Sequence, residues 1–386
     1  MDFALTDEQK LLIDSVRRFI KEELQPLEEE IELNDDIAPD VARAIHEKSK
    51  ALGLYALNMP EEFGGGGLSA VDSMLCEEQF GHTTDILVRR AFGDVYEALL
   101  ACRGEQVDRW LRPAVSGARI CALAITETGA GSDAQGIKTT ARQAEGGWVL
   151  NGTKHFISDA EWSDCFIVSA RTGPSEISLF LVDKGLPGFT LGRKQRMMGL
   201  RGTTHNELIF DNVRLEPVAL LGERGAGFKL VMGMLGRVRL SLIGARAVGR
   251  ASHVLEMMIE YAGVREQFGK TIGEFQLIQE IIADSVIEIN AARLMVLRAA
   301  WMIDQGLDAR GWISMVKVQA AEMLNRVVDR GVQLFGGMGY CKELPLERYY
   351  RDARIFRIFD GTSEIHRVVV ARTALKQGAA LFDLHR

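Results

Sequence analysis

The spacing of apolar residues divides the chain into three stretches. In residues 1–119 apolar positions such as Leu12, Val16, Phe19 and Ile20 recur at helical spacing, and Thr6 is a candidate N-cap for the first helix. Residues 120–227 change to short segments rich in β-formers, separated by Gly, Asp and Asn turns. From 228 to 386 the helical period returns. These ranges are the three predicted domains.

The individual segments predict the architecture of each part. The candidate strands are RICALAI, WVLNGTKHFI, CFIVSA, EISLFLV and NELIF, and their short, regular spacing is typical of a sandwich or barrel. The long helical runs cover 230–264, 276–305 and 312–335, and their apolar residues wrap around more than one face. Such helices are buried in a bundle or at a subunit interface. Helices, then strands, then helices make an α+β chain.

Composition and charge exclude several function classes. The 386 residues carry a net charge of −7 with no Lys/Arg-rich block, which argues against nucleic-acid binding. No apolar run approaches the roughly 18 residues of a membrane span. The N-terminus carries acids where a signal peptide needs a basic stretch, so we expect a cytoplasmic protein. Five cysteines without a CxxC pair favour a reducing compartment and no zinc site, so no metal is predicted.

Two charged segments have a plain structural interpretation. Acids are dense between Glu28 and Asp36, which is typical of a solvated helix face and turn. Arginines recur between Arg348 and Arg357, and we interpret them in the same way, as a solvated and ion-paired helix face.

Four short motifs could carry chemistry. The segment TETGAGSD at 126–133 superficially fits a dinucleotide-binding fingerprint, but the residues after it read as β rather than helix, which excludes a Rossmann site. A Gly-rich loop can still bind a phosphate through backbone N–H groups, although a simple turn is favoured. The segments REQFGK at 265–270, QLFGGMGY at 333–340 and DGTSEIHR at 360–367 can each be explained by a helix end. In that interpretation Gly269 is a C-cap and Asp360 or Thr362 an N-cap.

The order and spacing of these motifs together are specific. With NGTKHFIS at 151–158, MPEEFGGGG at 59–67 and the opening LTDEQKLLIDSVRRFIKEEL, they make the chain resemble the acyl-CoA dehydrogenase family over nearly its whole length. The resemblance implies an N-terminal helical domain, a middle antiparallel β-barrel or sandwich domain and a C-terminal four-helix bundle. It also implies bound FAD, an acyl-CoA substrate, an electron-transfer flavoprotein as acceptor, and a homotetramer built as a dimer of dimers.

The resemblance assigns site residues. The catalytic base falls on Asp360, and substrate contacts fall on Ser132, Arg239 and Gly361. The FAD contacts fall on Thr126, Gly131, Ser132, Phe156, Ser158, Arg265, Gln267, Phe268, Gln276, Gln333, Gly336, Gly337, Thr362 and Glu364. Of these, Arg265, Gln267 and Phe268 resemble a motif that reaches the FAD of a neighbouring subunit.

The base departs from the family's common pattern. Most members have Glu before Gly-Thr, whereas this chain has Asp360, and the other known base position lies in LGRVRLSLIGARAVG, which contains no acid. Asp is one methylene shorter, which withdraws the carboxylate by about 1.5 Å. Proton transfer needs heavy-atom contact near 3 Å, so a cyclic or branched acyl group that comes closer is favoured. Relatives with Asp here act on cyclic acyl-CoA esters or nitroalkanes.

Several functions stay open at this point. The leading hypothesis is an acyl-CoA dehydrogenase, the alternatives being a nitroalkane oxidase-like flavin oxidase and an enoyl-CoA-reducing member. A non-enzymatic scaffold that binds CoA esters is disfavoured because the FAD positions are filled by family-type residues. Arg89 and Arg90 fall near the stretch that shapes the acyl pocket, where an ion pair is favoured over a site for a carboxylated substrate tail.

Overall fold

The computed structural model describes residues 4–382 and begins with a layer of helices. Thr6 caps the first helix, since its side chain accepts from the backbone N–H of Gln9 at 3.2 Å. The Gln9 side chain in turn accepts a hydrogen bond from the backbone N–H of Thr6. A stacked pair, Phe80 and Phe92, lies in the core of this layer with Phe19 at its edge. The helices are α1 (Asp7–Phe19), α2 (Glu28–Asn34), α3 (Pro39–Ala51), α4 (Ala70–Phe80), α5 (Asp85–Phe92) and α6 (Arg112–Val115).

A mixed β-sheet follows. Its strands are β1 (Cys121–Ala124), β2 (Thr140–Ala144), β3 (Gly147–Ser158), β4 (Cys165–Arg171), β5 (Ile177–Asp183), β6 (Phe189–Lys194), β7 (His205–Leu215) and β8 (Leu220–Leu221). They lie in the order β6-β7-β3-β2-β4-β5-β8, with β1 parallel to β4. All five predicted strand segments are confirmed. The sequence analysis did not identify β6, a partly exposed strand with little apolar alternation.

Long helices return after the sheet, as predicted. They are α7 (Gly227–Val238), α8 (Arg246–Val264), α9 (Gln276–Asp304), α10 (Arg310–Phe335), α11 (Gly337–Tyr340), α12 (Leu346–Arg354) and α13 (Ser363–Gln377), and a hairpin of β9 (Glu266–Gln267) and β10 (Lys270–Thr271) separates α8 from α9. A π-helical turn, Arg239–Ala245, joins α7 to α8. Within residues 4–382 no helix is both long and apolar enough to cross a membrane.

The acidic segment and the arginine segment bind each other, so the prediction of solvated faces is wrong for Glu28 and Arg348, whereas the predicted ion pairing of the arginines is confirmed. The Arg348 guanidinium lies 2.5 Å from the Glu28 carboxylate, and both side chains are buried. Arg351 pairs with Glu32 at 2.6 Å, and both of these side chains are partly exposed. The two segments were interpreted separately because sequence periodicity contains no information on which helices meet. These ion pairs join α2 to α12.

Two glycines bring α4 and α8 into backbone contact. A Cβ added to Gly249 would lie 1.7 Å from the carbonyl oxygen of Glu78, and one added to Gly81 would lie 2.4 Å from that of Arg246. A side chain at either position would push the helices apart. The absence of a Cβ therefore fixes the distance between the end of α4 and the start of α8.

Cys121 and Cys165 form a disulfide between directly paired positions of β1 and β4. This pair could not be predicted from the sequence, because 44 residues separate the two cysteines and the count of five is odd. The inference of a reducing compartment assumed no such pairing, so these two cysteines do not support it. Cys76, Cys102 and Cys341 are free thiols.

Candidate active site

Asp360 lies in the turn between α12 and α13 with its backbone held and its carboxylate free. The backbone is left-handed at this residue, with φ of 52°. Its carbonyl oxygen accepts from Nε of Arg239 at 2.7 Å, and Nε2 of His366 lies 3.2 Å from the same oxygen. No described residue within 4–382 forms a hydrogen bond with the carboxylate of Asp360. Hydrogen bonds to the main chain therefore hold the loop, and the Asp360 carboxylate is free to interact with a bound molecule.

The surroundings of Asp360 make it a stronger base. Burial raises the pKa of this carboxyl, and the negative charge of Asp94 raises it further. The positive charges of Arg239, Lys317 and Arg89 act in the opposite direction, and the net pKa lies above the usual range of an aspartate. A carboxylate with a raised pKa accepts a proton from carbon more readily.

Behind the Asp360 loop lies a group of buried polar side chains on α10 and α13. Lys317 is fully buried, and burial lowers the pKa of its amine to about 8 against the raising effect of Asp360. Among the described residues, Nζ of Lys317, Oγ of Ser363 and Nδ1 of His366 have no hydrogen-bond partner. Lys317 lies inside a predicted helix and belongs to no motif, whereas Ser363 and His366 lie in DGTSEIHR, where only Asp360, Gly361, Thr362 and Glu364 are predicted site residues.

Arg89, Asp94 and Tyr96 form the N-terminal side of the site. The Arg89 guanidinium pairs with Asp94 and, at 2.6 Å, with Asp85, and the hydroxyl of Tyr96 donates to Asp94 at 3.3 Å. A pocket places these side chains beside Ser158 of β3. Tyr96 and Asp94 both interact electrostatically with Asp360, so this wall faces the base.

The ion-pair interpretation of Arg89 and Arg90 is confirmed. Two carboxylates engage Arg89, and Arg90 forms a buried pair with Asp159, which joins the N-terminal helices to the sheet. Both acids that pair with Arg89 occupy its guanidinium, whereas Asp159 engages only Nη2 of Arg90 among the described residues.

The end of β3 carries two further predicted residues, Phe156 and Ser158. The pairing of β3 with β7 shifts register between Lys154 and Ile157, and Phe156 within that shift has a φ of 57°. Its ring remains 49% exposed, which is unusual for a phenylalanine in a sheet. The carbonyl of Thr126 accepts from the N–H of His155 at 2.8 Å, so Thr126 lies beside this aromatic surface.

The TETGAGSD segment is a loop held by one buried ion pair. Nζ of the fully buried Lys154 lies 2.8 Å from Glu127, which also accepts from the backbone N–H groups of Lys138 and Thr139. Beside Gly129 and Gly131 no heavy atom lies within 4 Å of an added Cβ. The segment enters β2 without a helix, which agrees with the exclusion of a Rossmann site. The sequence analysis missed the Glu127–Lys154 anchor.

The remaining candidates divide between two exposed places. The predicted C-cap at Gly269 is wrong: α8 ends at Val264, and Gly269 follows Phe268 in the turn of the β9–β10 hairpin, with both residues at positive φ. Phe268 is 95% exposed. Gly336 ends α10, as its helix-stop interpretation predicts. Exposed positions here are Arg265, Gln267, Gln276, Gln333, Gly336 and Gly337, and none hydrogen-bonds within residues 4–382 to the Asp360 loop.

Thr362 is the N-cap of α13, since its hydroxyl accepts from the N–H of Ile365 at 3.2 Å. Of the two residues predicted as possible N-caps, Thr362 is therefore the one that caps α13, and Asp360 does not. Glu364 lies in the first turn of α13 with its side chain in solvent. This position gives Glu364 no contact with the buried pocket.

The surfaces described fit a flavin dinucleotide. Phe156 presents an uncovered ring beside the Thr126 loop, which suits a flat aromatic group. Ser132 and the two unobstructed glycines of that loop leave backbone N–H groups accessible to a phosphate. Gly336 and Gly337 are equally open.

Comparisons with known proteins agree along the whole chain. Three family models match in order: acyl-CoA dehydrogenase N-terminal domain over residues 6–118, middle domain over 122–213 and C-terminal domain over 225–375. Acryloyl-CoA reductase (NADH) of Anaerotignum propionicum is 37% identical, over 98% of this chain and 97% of that protein. The human mitochondrial short-chain specific acyl-CoA dehydrogenase is 36% identical, over 96% and 91%. The solved structure of PigA with FAD and proline superposes with a TM-score of 0.89 at 31% identity, covering 98% of this chain and 100% of that one.

Proposed function

This chain belongs to the acyl-CoA dehydrogenase family of FAD-containing oxidoreductases that act on CH–CH groups, and we propose that it desaturates an acyl-CoA thioester at the α and β carbons. The observation that carries the proposal is Asp360: a half-buried aspartate whose carboxyl has a raised pKa and no hydrogen-bond partner among residues 4–382, on a loop fixed by Arg239. We also infer that the three domains are 1–119, 120–227 and 228–386.

The chain's own residues account for the proton transfer. The Asp360 carboxylate takes the α proton, and its raised pKa matches it to a weak carbon acid. The backbone N–H of Asp360 has no acceptor among the described residues, so it can donate to the thioester oxygen, where negative charge develops. Bound FAD supplies the acceptor for the β hydride.

The cofactor roles follow the surfaces. We assign the flavin ring to Thr126, Phe156 and Ser158, and the pyrophosphate to the loop containing Gly131 and Ser132. The adenosine half belongs with Gln333, Gly336 and Gly337. Arg265, Gln267, Phe268 and Gln276 reach a second copy of the chain in a homotetramer, and Thr362 and Glu364 lie near the phosphates.

A compact cyclic or branched acyl group is the substrate class that the pocket supports. Asp360 is short, so the α carbon must approach closely. Tyr96 and Asp94 form a polar wall opposite the base, and the charge of Arg89 is used by Asp85 and Asp94. This arrangement gives no support to a carboxylated tail. The acceptor we expect is an electron-transfer flavoprotein.

Reduction of an enoyl thioester is the second candidate. It is favoured by the 37% identity to an acryloyl-CoA reductase, which covers nearly the whole of both chains. The same Asp360 would then return a proton to the α carbon, so both directions use one base. An oxidase similar to nitroalkane oxidase would use Asp360 without CoA.

The test is anaerobic flavin bleaching by a panel of straight, branched, cyclic and dicarboxylic CoA esters. We expect cyclic or branched esters to bleach the flavin fastest. Asp360→Asn should keep the flavin bound and slow its reduction by at least ~10³-fold, in the range of lost general-base catalysis. Asp329→Asn is the matched control, because it makes the same change at an exposed aspartate on α10 to which no role in the site is assigned.

Three outcomes would overturn the proposal in different ways. Fast reduction of the Asp360→Asn flavin would place the base elsewhere. Peroxide formation from a nitroalkane, with no thioester able to bleach the flavin, would favour the oxidase. Reoxidation of reduced enzyme by enoyl-CoA without measurable reduction by any saturated ester would favour the reductase.

A further inference from the structure

Two imidazoles and a carboxylate meet between the N-terminal helices and the C-terminal bundle. His82 follows α4, and His253 and Glu256 lie one turn apart on α8. The two rings have centroids 5.0 Å apart, and Glu256 Oε2 lies 3.8 Å from His253 Nδ1. One ligand atom from each residue falls within 4.8 Å of the others.

Neither imidazole takes part in the hydrogen bonding of the described fold. Both are half-buried, yet within residues 4–382 neither ring forms a hydrogen bond with a protein group. A neutral imidazole has a free lone pair, which is the form that binds a metal ion.

The main chain holds the two histidines in place. Gly81, directly before His82, and Gly249, one turn before His253, are the positions where α4 and α8 touch backbone to backbone. The distance between the two imidazole attachment points is therefore set by the helices and not by flexible loops. Zinc ligands at 2.0–2.2 Å from the ion lie roughly 3.3 Å apart, so small ring rotations are sufficient.

The neighbouring charges select the kind of ion. Arg250 lies near both rings, donates to the carbonyl of Thr83 and stacks over Tyr349 at 4.1 Å. Arg17 and Arg348 add positive charge near the rings. Arg17 hydrogen-bonds to Gln79, and Arg348 forms an ion pair with Glu28. A hard cation held by charge alone is disfavoured here, whereas an ion that forms strong bonds to nitrogen tolerates such surroundings.

We propose that His82, His253 and Glu256 bind one divalent transition-metal ion of the zinc class, with water completing the coordination, and so clamp α4 to α8. The proposal differs from the prediction of no metal, which considered only cysteine-based zinc motifs. It is independent of the proposed function, because none of the three residues belongs to the active site.

The experiment is a titration of untagged, FAD-loaded, full-length protein, first stripped with chelator, with Zn²⁺ by calorimetry and with Co²⁺ by visible absorption. We expect one ion per chain and Co²⁺ d–d bands in the wild type. His253→Gln and His82→Gln should weaken binding at least ~10-fold, the lower range for disturbing a metal shell. Glu256→Gln should weaken it less.

His155→Gln is the matched control, since His155 also lies 3.3 Å from a glutamate, Glu207, but has no second imidazole. Its binding should equal that of the wild type, and the melting temperatures of all variants without metal should be reported beside the affinities. Absence of stoichiometric binding to wild-type protein, or equal binding by His253→Gln and Glu256→Gln, would overturn the proposal.

Discussion

At the scale of single residues, the pKa of Asp360 results from opposing neighbours. Asp94 raises it, whereas Lys317 and Arg239 lower it. The proposed base works only when it is ionised, so the rate of substrate-dependent flavin reduction should rise with pH through the pKa of Asp360. Each neighbour therefore influences the pH at which this rate rises, which we call the acid limb of the pH profile.

Asp94→Asn should move that limb to lower pH, because it removes a negative charge that disfavours ionisation of Asp360. Lys317→Met should move it to higher pH, because it removes a positive charge that favours ionisation. The measurement is the anaerobic rate of flavin reduction from pH 5 to 10. Lys138→Met, an exposed lysine with no interaction with Asp360, serves as the control. Shifts in the same direction for Asp94→Asn and Lys317→Met would contradict this account.

Sequence alone identified Asp360 and not its electrostatic surroundings. The aspartate lies in a motif whose family pattern marks the base position. Asp94 and Lys317 come from a loop and a helix that are distant in sequence, and each has an ordinary local explanation. Their effect on Asp360 depends on tertiary packing, which periodicity does not encode.

At the scale of elements, one buried ion pair, Glu28–Arg348, and one partly exposed pair, Glu32–Arg351, join α2 to α12. Glu28→Gln should leave the Arg348 guanidinium buried without its counter-charge and cost about 3 kcal/mol of unfolding free energy, as for other broken buried pairs. Urea unfolding monitored by circular dichroism is the measurement. The exposed pair of Lys10 and Asp7 gives the control, since Asp7→Asn should change stability by less than about 0.5 kcal/mol. Equal effects of the two substitutions would contradict the burial argument.

Long elements were predictable and short ones were not. The three long helical runs match α7–α8, α9 and α10 because many apolar positions repeat over several turns. The strands β9 and β10 have two residues each and leave no pattern. A glycine shortly after a helix fits both a C-cap and a hairpin turn, and Gly269 is the second.

At the scale of the whole molecule, several large apolar side chains in and around the β9–β10 hairpin and on α9 are exposed. Phe268 is 95% exposed, and Val264, Leu277 and Ile287 nearby in sequence are each more than 60% exposed. Apolar surface of this kind marks an interaction site. It supports the proposed assembly in which the β9–β10 hairpin meets a second copy and its FAD.

Phe268→Ser should weaken FAD binding at least ~10-fold and shift the assembly toward smaller species, because the hairpin then loses its apolar contact with the partner. Fluorescence titration of FAD and sedimentation velocity are the measurements. Leu375→Ser, which changes an equally exposed apolar residue on α13, is the control. A Phe268→Ser protein with unchanged assembly and unchanged FAD affinity would contradict the proposed role.

The left-handed backbone at position 360 sets a limit on how this base could change. Short Asp and Asn side chains adopt that conformation more readily than longer residues do. A mutation to glutamate would extend the carboxylate but would have to hold a less favourable backbone, a penalty of order 1 kcal/mol. A longer acidic side chain at position 360 would thus extend the carboxylate at the expense of folding free energy. Asp360→Asn removes the charge and keeps the backbone conformation.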